Sequence, residues 1–448
     1  TGQQGSSHSY PDDGSGRLGN SITSTEASTR QQGSNHSVPG GGSGVQDGSP
    51  ADHEGATRQH MDSPKDLNGT SPGQLVRNYQ AFRQREKYWL EDYALFLALK
   101  KHFDNRSWNE WPEEYRDRST ESLKEFAQEH EDELDKIRFS QFIFLEQWKK
   151  LKTYAYDKGV DIFGDVPIYV DYDSADVWAH QDLFRLNEDN SMEALAGVPP
   201  DYFNENGQLW GMPLFRWEKM KENGYEWWLN RIRKNLDWFD LVRLDHFRGF
   251  SAYWEVPAGE KTALNGKWTE GPGIDLFDKV KSAFPDMPFV AEDLGQIDQA
   301  VYDLRDHYHL PGMKVVQFGF EEHMPFLQHV PNNHSYNSIA YTGTHDNNTM
   351  KGWFRKEADQ HTLKRIKKYT GVTIKERNCA SEFIRITYSS PAWLAIIPMQ
   401  DWLGLDEQAR MNFPSTTRGN WLWRIKPGQL TGKLQNEIMK SVKTFGRY

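Results

Sequence analysis

The sequence predicts an α/β fold, a parallel barrel of the (β/α)8 TIM-barrel type with helical and loop insertions. Two observations carry that prediction. Apolar, strand-like segments recur between residues 161 and 401 with helical stretches between several of them, the alternation expected of a parallel sheet. Three of the segments end in an acid, LVRLDHFRG at Asp245, FVAEDLG at Glu292 and YTGTHDNNT at Asp346, which is how a barrel presents charge at the C-terminal edge of its strands.

Taken in order, residues 1–73 are rich in Gly, Ser, Thr, Gln and Pro, with Tyr10 as the only aromatic. They carry too little apolar surface to offset chain entropy, so disorder is expected. The text QQGSSHSYPDDGSG from Gln3 returns as QQGSNHSVPGGGSG from Gln31, a 28-residue period. Its units have no apolar face to stack, so they read as a low-complexity tandem repeat.

Residues 74–448 form the second unit, opening with a helical subdomain over 76–156. Apolar residues at helical spacing predict one helix from Arg77 to Phe103 and a second run from Ser122 to Tyr156. Strands are expected at 161–170, 241–246, 289–294, 314–320, 339–346 and 393–401. A closed eightfold barrel needs two more. None precedes Asp161 in this text, so the barrel is expected to lack its first two strands.

Composition narrows the partners. The net charge of −11 and the absence of a long Lys/Arg run argue against nucleic acid and anionic membranes. A neutral substrate fits better. The aromatic content of 13% supplies a sizeable core despite a mean hydropathy of −0.82. Cys379 is the single cysteine, which favours a reducing compartment and hence the cytoplasm.

The acids can then be read for chemistry. Arg243 and Asp245 lie two apart on a strand, hence on one face, where the guanidinium would keep the carboxylate ionised. A structural Arg–Asp pair is the alternative. Glu292 follows an apolar run that suits a carboxyl with a raised pKa, as a proton donor requires, although adjacent Asp293 leaves the assignment open. His345 and Asp346 follow an apolar strand and should face a cleft, where they could grip sugar hydroxyls or hold a metal; no familiar metal spacing accompanies them. The segment GVPPDYFNENGQLWGMPLFRW, 197–217, reads as a loop whose Tyr202, Phe203 and Trp210 could stack on sugars. A surface loop pinned by its aromatics is the competing reading.

Together these segments resemble the 4-alpha-glucanotransferases, the amylomaltases or disproportionating enzymes of glycoside hydrolase family seventy-seven in the alpha-amylase clan. The resemblance rests on GDVPIYVDYDSADVWAH from Gly164, GVPPDYFNENGQLWG from Gly197, LVRLDHFRGFSAYWEVP from Leu241, VAEDLG from Val290, LPGMKVVQF from Leu310, YTGTHDNNT from Tyr341, ARMNFP and NWLWR. It covers residues 76–448. It implies Asp245 as nucleophile, Glu292 as acid and then base, and Asp346 as the acid that fixes and distorts the sugar. Asp165, Arg243, His246 and His345 would line the same site. Asp201, Tyr202, Phe203, Gln208 and Trp210 would fall on an acceptor-side loop.

The implied substrates are maltooligosaccharides and starch- or glycogen-derived glucans, with glucose as an acceptor, and no cofactor or metal is implied. A retaining hydrolase shares the same acids, and a non-catalytic glucan-binding fragment is the reading that the missing strands would favour. Two smaller departures from the family pattern are Asn348 within HDNNT and Ser415 after ARMNFP. The chain's start at Thr1 rather than Met fits truncation.

Overall fold

In the computed structural model the structure describes residues 26–29, 72–200, 204–414, 416 and 418–448. Most of the repeat therefore lies outside the described residues. Within it, Glu26–Thr29 is strand β1, paired antiparallel with Val160–Val166, β2.

The six expected barrel strands are present, and they pair parallel with one another. They are β2, β5 (Leu241–Leu244), β8 (Phe289–Ala291), β9 (Gly312–Val315), β10 (Ser338–Tyr341) and β11 (Leu394–Ile396), adjacent in that order. The sheet curls into an incomplete barrel surrounded by helices. Phe163, Val290, Met313, Ile339, Tyr341 and Ile396 fill its interior. The alternate residues, such as Ile162, Val242, Leu244, Phe289 and Ala291, join the larger core shared with the helices.

The strands are shorter than the apolar runs suggest. β2 stops at Val166 because Pro167 has no N–H to give the ladder. Beyond Val315 the run turns into a 3-10 helix, Val316–Phe320, and Met399–Trp402 is helical.

Each long helical run is also broken once. The first divides into Pro72–Arg85 and Lys87–His102 at Glu86, whose buried carboxylate takes bonds from Arg85, Trp89 and Lys234. The second divides into Thr120–Glu129 and Glu131–Asp157 at His130, whose ring stacks on Phe126 at 4.0 Å.

One element differs in kind from its sequence reading. The stretch read as a loop at 197–217 contains half of a hairpin, β3 (Ala194–Val198) with β4 (Gln208–Pro213). With β6 (Ala252–Pro257) and β7 (Lys267–Glu270) they form an antiparallel sheet of order β4-β3-β6-β7. Gly207, at φ +65°, makes the turn possible, since a Cβ there would overlap the Val198 carbonyl.

Among the described residues β11 does not pair with β2, whose other edge carries β1. A cavity of about 2960 Å³ is lined by Leu241 and Phe289 at the starts of β5 and β8, by Ile396 of β11 and by Leu145, Tyr156 and Trp393 among others. None of the three acids lines it. The chemistry-bearing cleft is at the C-terminal strand ends instead.

Gly164 on β2 packs beneath Phe239, and a Cβ there would overlap three atoms of that ring. Gly164→Ala must displace the ring, so a loss of roughly 1–3 kcal/mol is expected from overpacking. Urea unfolding of the parent and the variant measures it, and equal midpoints would contradict the packing account.

Candidate active site

Strand parity builds the site. Asp165 pairs with Arg243 across β2 and β5, and Arg243 pairs with Val290 across β5 and β8. Val290 is an interior residue, so Asp165, Arg243, Asp245 and Glu292 all share the interior face. Asp245 and Glu292 stand one residue past their strands, where Asp245 N donates to Val166 O and Glu292 N donates to Leu244 O, each at 3.1 Å. The stagger places the acids at one rim.

The same parity separates Glu292 from Asp293. Asp293 points outward, fully buried, and accepts from Met313 N at 2.7 Å and from the Arg305 guanidinium. It holds β8 to β9 and to the helix Gln299–His307. Glu292 is the one turned toward the cleft.

Arg243 joins the acids of two strands. Its Nη1 bonds Asp165, and its Nη2 donates to Asp245 Oδ1 at 2.6 Å. Burial opposes its charge, yet Asp165 and Asp245 hold its pKa above the ordinary arginine value. Burial pushes Asp165 up to about 6, with Arg243 working against the shift. Glu292 has no ion pair among the described residues. Burial raises it to about 8, opposed by Arg243 through space and assisted by Asp245, Asp293 and Asp346.

Asp346 has the opposite fate. Burial disfavours its charge, but His345 Nε2 at 3.2 Å and the Asn412 amide at 2.6 Å hold it well below the usual carboxylate range. His345 is raised in turn: burial works against its charge, and the bond to Asp346 more than offsets it. His345 also lies 3.9 Å from Asp165 Oδ2, which links the β10 loop to the Arg243 pair.

His246 follows Asp245 at φ +47°, a strained backbone for a residue with a Cβ. Its ring meets the Trp210 ring edge-on at 4.8 Å, and burial lowers it to about 4, so it is a neutral imidazole. Trp210 Nε1 donates to Gln208 Oε1 at 3.2 Å, which joins Gln208 to the ring that meets His246. Asp201, Tyr202 and Phe203 lie outside the described residues, as does Ser415. At the loop's near end, Gln296 donates to Pro200 O at 3.2 Å and so ties it to the segment after Glu292. Asn348 turns away from the acids and gives its amide to Glu357 at 2.8 Å. Among the described residues no group of three or more His, Cys, Asp or Glu is arranged to hold a metal ion.

Sequence reasoning passed over three residues as site members. Arg410 Nη2 donates to Asp346 O at 2.6 Å, Asn412 bonds the Asp346 carboxylate, and Trp421 sets its ring 5.0 Å from that of His345. The segments ARMNFP and NWLWR contain them, but neither ends an apolar run in an acid.

Comparison with known proteins gives the family and the fold. A family model described as 4-alpha-glucanotransferase matches residues 56–431. The chain is similar to a 4-alpha-glucanotransferase of Streptococcus pneumoniae, 42% identical over 373 residues that cover 83% of this chain and 74% of that protein. It is similar to another from Aquifex aeolicus, 46% identical over 366 residues, 82% of this chain and 74% of that one. Among solved structures it is similar to an amylomaltase from Streptococcus agalactiae in complex with acarbose, at TM-score 0.79 and 36% identity, covering 83% and 74% of the two chains. An amylomaltase from Corynebacterium glutamicum shares the fold at TM-score 0.66 and 18% identity, covering 84% and 57%.

The raised pKa of Glu292 has a consequence for stability. The folded carboxyl titrates at about 8 against 4.5 for an ordinary glutamate, so folding takes up a proton between those values. Its contribution is fully present below pH 4.5 and is lost as the pH rises toward 8. Glu292→Gln, neutral throughout, is expected to be more stable than the parent at about pH 8 by roughly 1–3 kcal/mol. Urea melts across that range check it. The difference should fade toward about pH 4.5, and a constant offset would count against a buried, proton-holding Glu292.

Proposed function

The chain belongs to the 4-alpha-glucanotransferase family and acts on α-1,4-glucans with retention, and from that premise we propose that its three acids divide the work by their charge. Asp245, ion-paired to Arg243, is the nucleophile. Glu292, protonated at neutral pH, is the acid and then the base. Asp346, held ionised by His345 and Asn412, grips the sugar at the point of cleavage.

Glu292 gives its proton to the glycosidic oxygen as the Asp245 carboxylate bonds to C1, and the aglycone glucan leaves with a new 4-hydroxyl. An acceptor 4-hydroxyl then attacks C1, the bond to Asp245 breaks, and Glu292 takes the acceptor's proton. Two inversions leave the anomeric configuration unchanged. Asp165 Oδ1 and Arg243 Nε are buried without a hydrogen-bond partner among the described residues, and both suit a sugar hydroxyl. The observation that carries this reading is the contrast between Glu292, raised to about 8, and Asp346, held low, within one Arg243-centred cluster.

We also propose glucose and shorter maltooligosaccharides as acceptors, with Trp210 and Gln208 beside them on β4, and a cytoplasmic location, which the single cysteine supports. No helix among the described residues is long and apolar enough to cross a membrane. The matched relatives are named as 4-alpha-glucanotransferases, which supports transfer over hydrolysis.

Purified protein incubated with maltotriose is expected to give glucose together with longer maltooligosaccharides. A flat product profile, or new reducing ends without chain extension, would remove the transfer reading. Asp245→Asn and Glu292→Gln should each lower kcat by about a thousandfold or more. The kcat profile should fall on its alkaline side near pH 8, where Glu292 loses its proton. An alkaline limb that persists unchanged in Glu292→Gln would assign that titration to another group.

A further inference from the structure

The loop that carries His345 and Asp346 begins at Thr342, just past β10, and ends at Met350, the first residue of the helix Met350–Lys356. One side chain reaches both roots. Asp401, in the short helix Met399–Trp402 after β11, accepts from Thr342 Oγ1 at 2.6 Å through Oδ2 and from Met350 N at 2.7 Å through Oδ1. Asp401 is 3% exposed and Thr342 fully buried. Asp401 forms no ion pair among the described residues, so these two donors satisfy a carboxylate that has been taken out of water.

Such charge-assisted bonds in a dry setting are stronger than ordinary ones. They also fix geometry, because both oxygens are used at once.

The same stretch of chain reaches the tip of the loop. Gln400 donates to Ala409 O at 3.2 Å and folds the stretch back on itself. Arg410 and Asn412 then hold the Asp346 carbonyl and carboxylate, and Asn412 N donates to His345 O at 3.1 Å. Root and tip of the loop therefore depend on residues 400–412. Asp401 itself has no hydrogen bond or ion pair with Asp165, Asp245, Glu292 or Asp346.

We propose that Asp401 is a positioning residue for the transfer reaction, clamping both roots of the 342–350 loop and so setting where the Asp346 carboxylate meets the sugar. The proposal rests on the reading of Asp346 given above. The effect should appear in the transition state, where Asp346 contacts a distorted sugar, more than in binding of the relaxed substrate.

The test uses Asp401→Ala, Asp401→Asn, Thr342→Val and Asp346→Asn, with kcat and KM on maltotriose, inhibition by acarbose and thermal unfolding. Asp401→Ala and Thr342→Val are expected to lower kcat about tenfold and to weaken acarbose by a similar factor, with KM changed by less than about twofold. Asp401→Asn should restore most of kcat, because its amide oxygen can accept from Met350 N while its NH2 donates to the Thr342 hydroxyl.

If Asp401→Ala does not fold, Thr342→Val decides, since it removes one hydroxyl at nearly constant shape. Folded Thr342→Val with unchanged kcat and acarbose affinity overturns the clamp, as does a kcat loss fully accounted for by a smaller folded fraction. Should Asp346→Asn keep full activity, the reading of Asp346 fails. Should it be inactive while Thr342→Val and Asp401→Ala match the parent, only the clamp fails.

Discussion

Arg243 is the charge around which the cleft is assembled. It is buried on β5 between an acid of β2 and the acid that follows its own strand. Removing a guanidinium from water costs far more than a lone hydrogen bond returns, so its two carboxylates have to be there. That requirement fixes the relative height of β2 and β5, because Asp165 must stand opposite Arg243. From this pair the site extends through His345 to Asp346 on one side and, through space, to Glu292 on the other.

Around this centre, long-range segments supply the walls. The antiparallel sheet is fastened over the rim by Arg248, which donates to Gln296 O at 2.7 Å, pairs with Asp298 at 2.9 Å and lies 3.7 Å over the Trp268 ring. β4 thereby brings Trp210 against His246. The stretch after β11 closes the opposite side, with Arg410, Asn412 and Trp421 on the β10 loop. Neither wall belongs to the parallel sheet, and each is joined to it through polar side chains.

Much of this was legible because period-two alternation is local. Each of the six strands is a short apolar run, and the acid beyond it inherits a face from the residues two and four before it. The same rule leaves strand length unread, since an apolar run continues into Val316–Phe320 or Met399–Trp402, where the backbone has already turned helical. The hairpin at Gly207 was read as a loop because its Pro, Gly and Asn residues mask the pairing of β3 with β6, which lies far along the chain. Asn412 bonds an acid 66 residues away. No pattern within its own segment announces that partner. Disorder expected over residues 1–73 falls almost wholly outside the described residues; of those described, Glu26–Thr29 form β1 and Pro72 and Gly73 open the first helix.

Glu292 and Asp293 show why adjacency in sequence says little about chemistry. Both are buried carboxyls at the end of β8, and composition cannot rank them as proton donors. The pleat sends Asp293 outward onto the Arg305 guanidinium and the Met313 amide. It sends Glu292 inward, where Arg243 is already engaged by Asp165 and Asp245 and where Asp245, Asp293 and Asp346 add to the burial that disfavours its charge. The proton therefore settles on Glu292, which, unlike Asp165, Asp245 and Asp346, has no ion pair among the described residues. A shift of β8 by one residue would turn Asp293 into the cleft and Glu292 outward, and the shorter side chain would then have to reach the glycosidic oxygen.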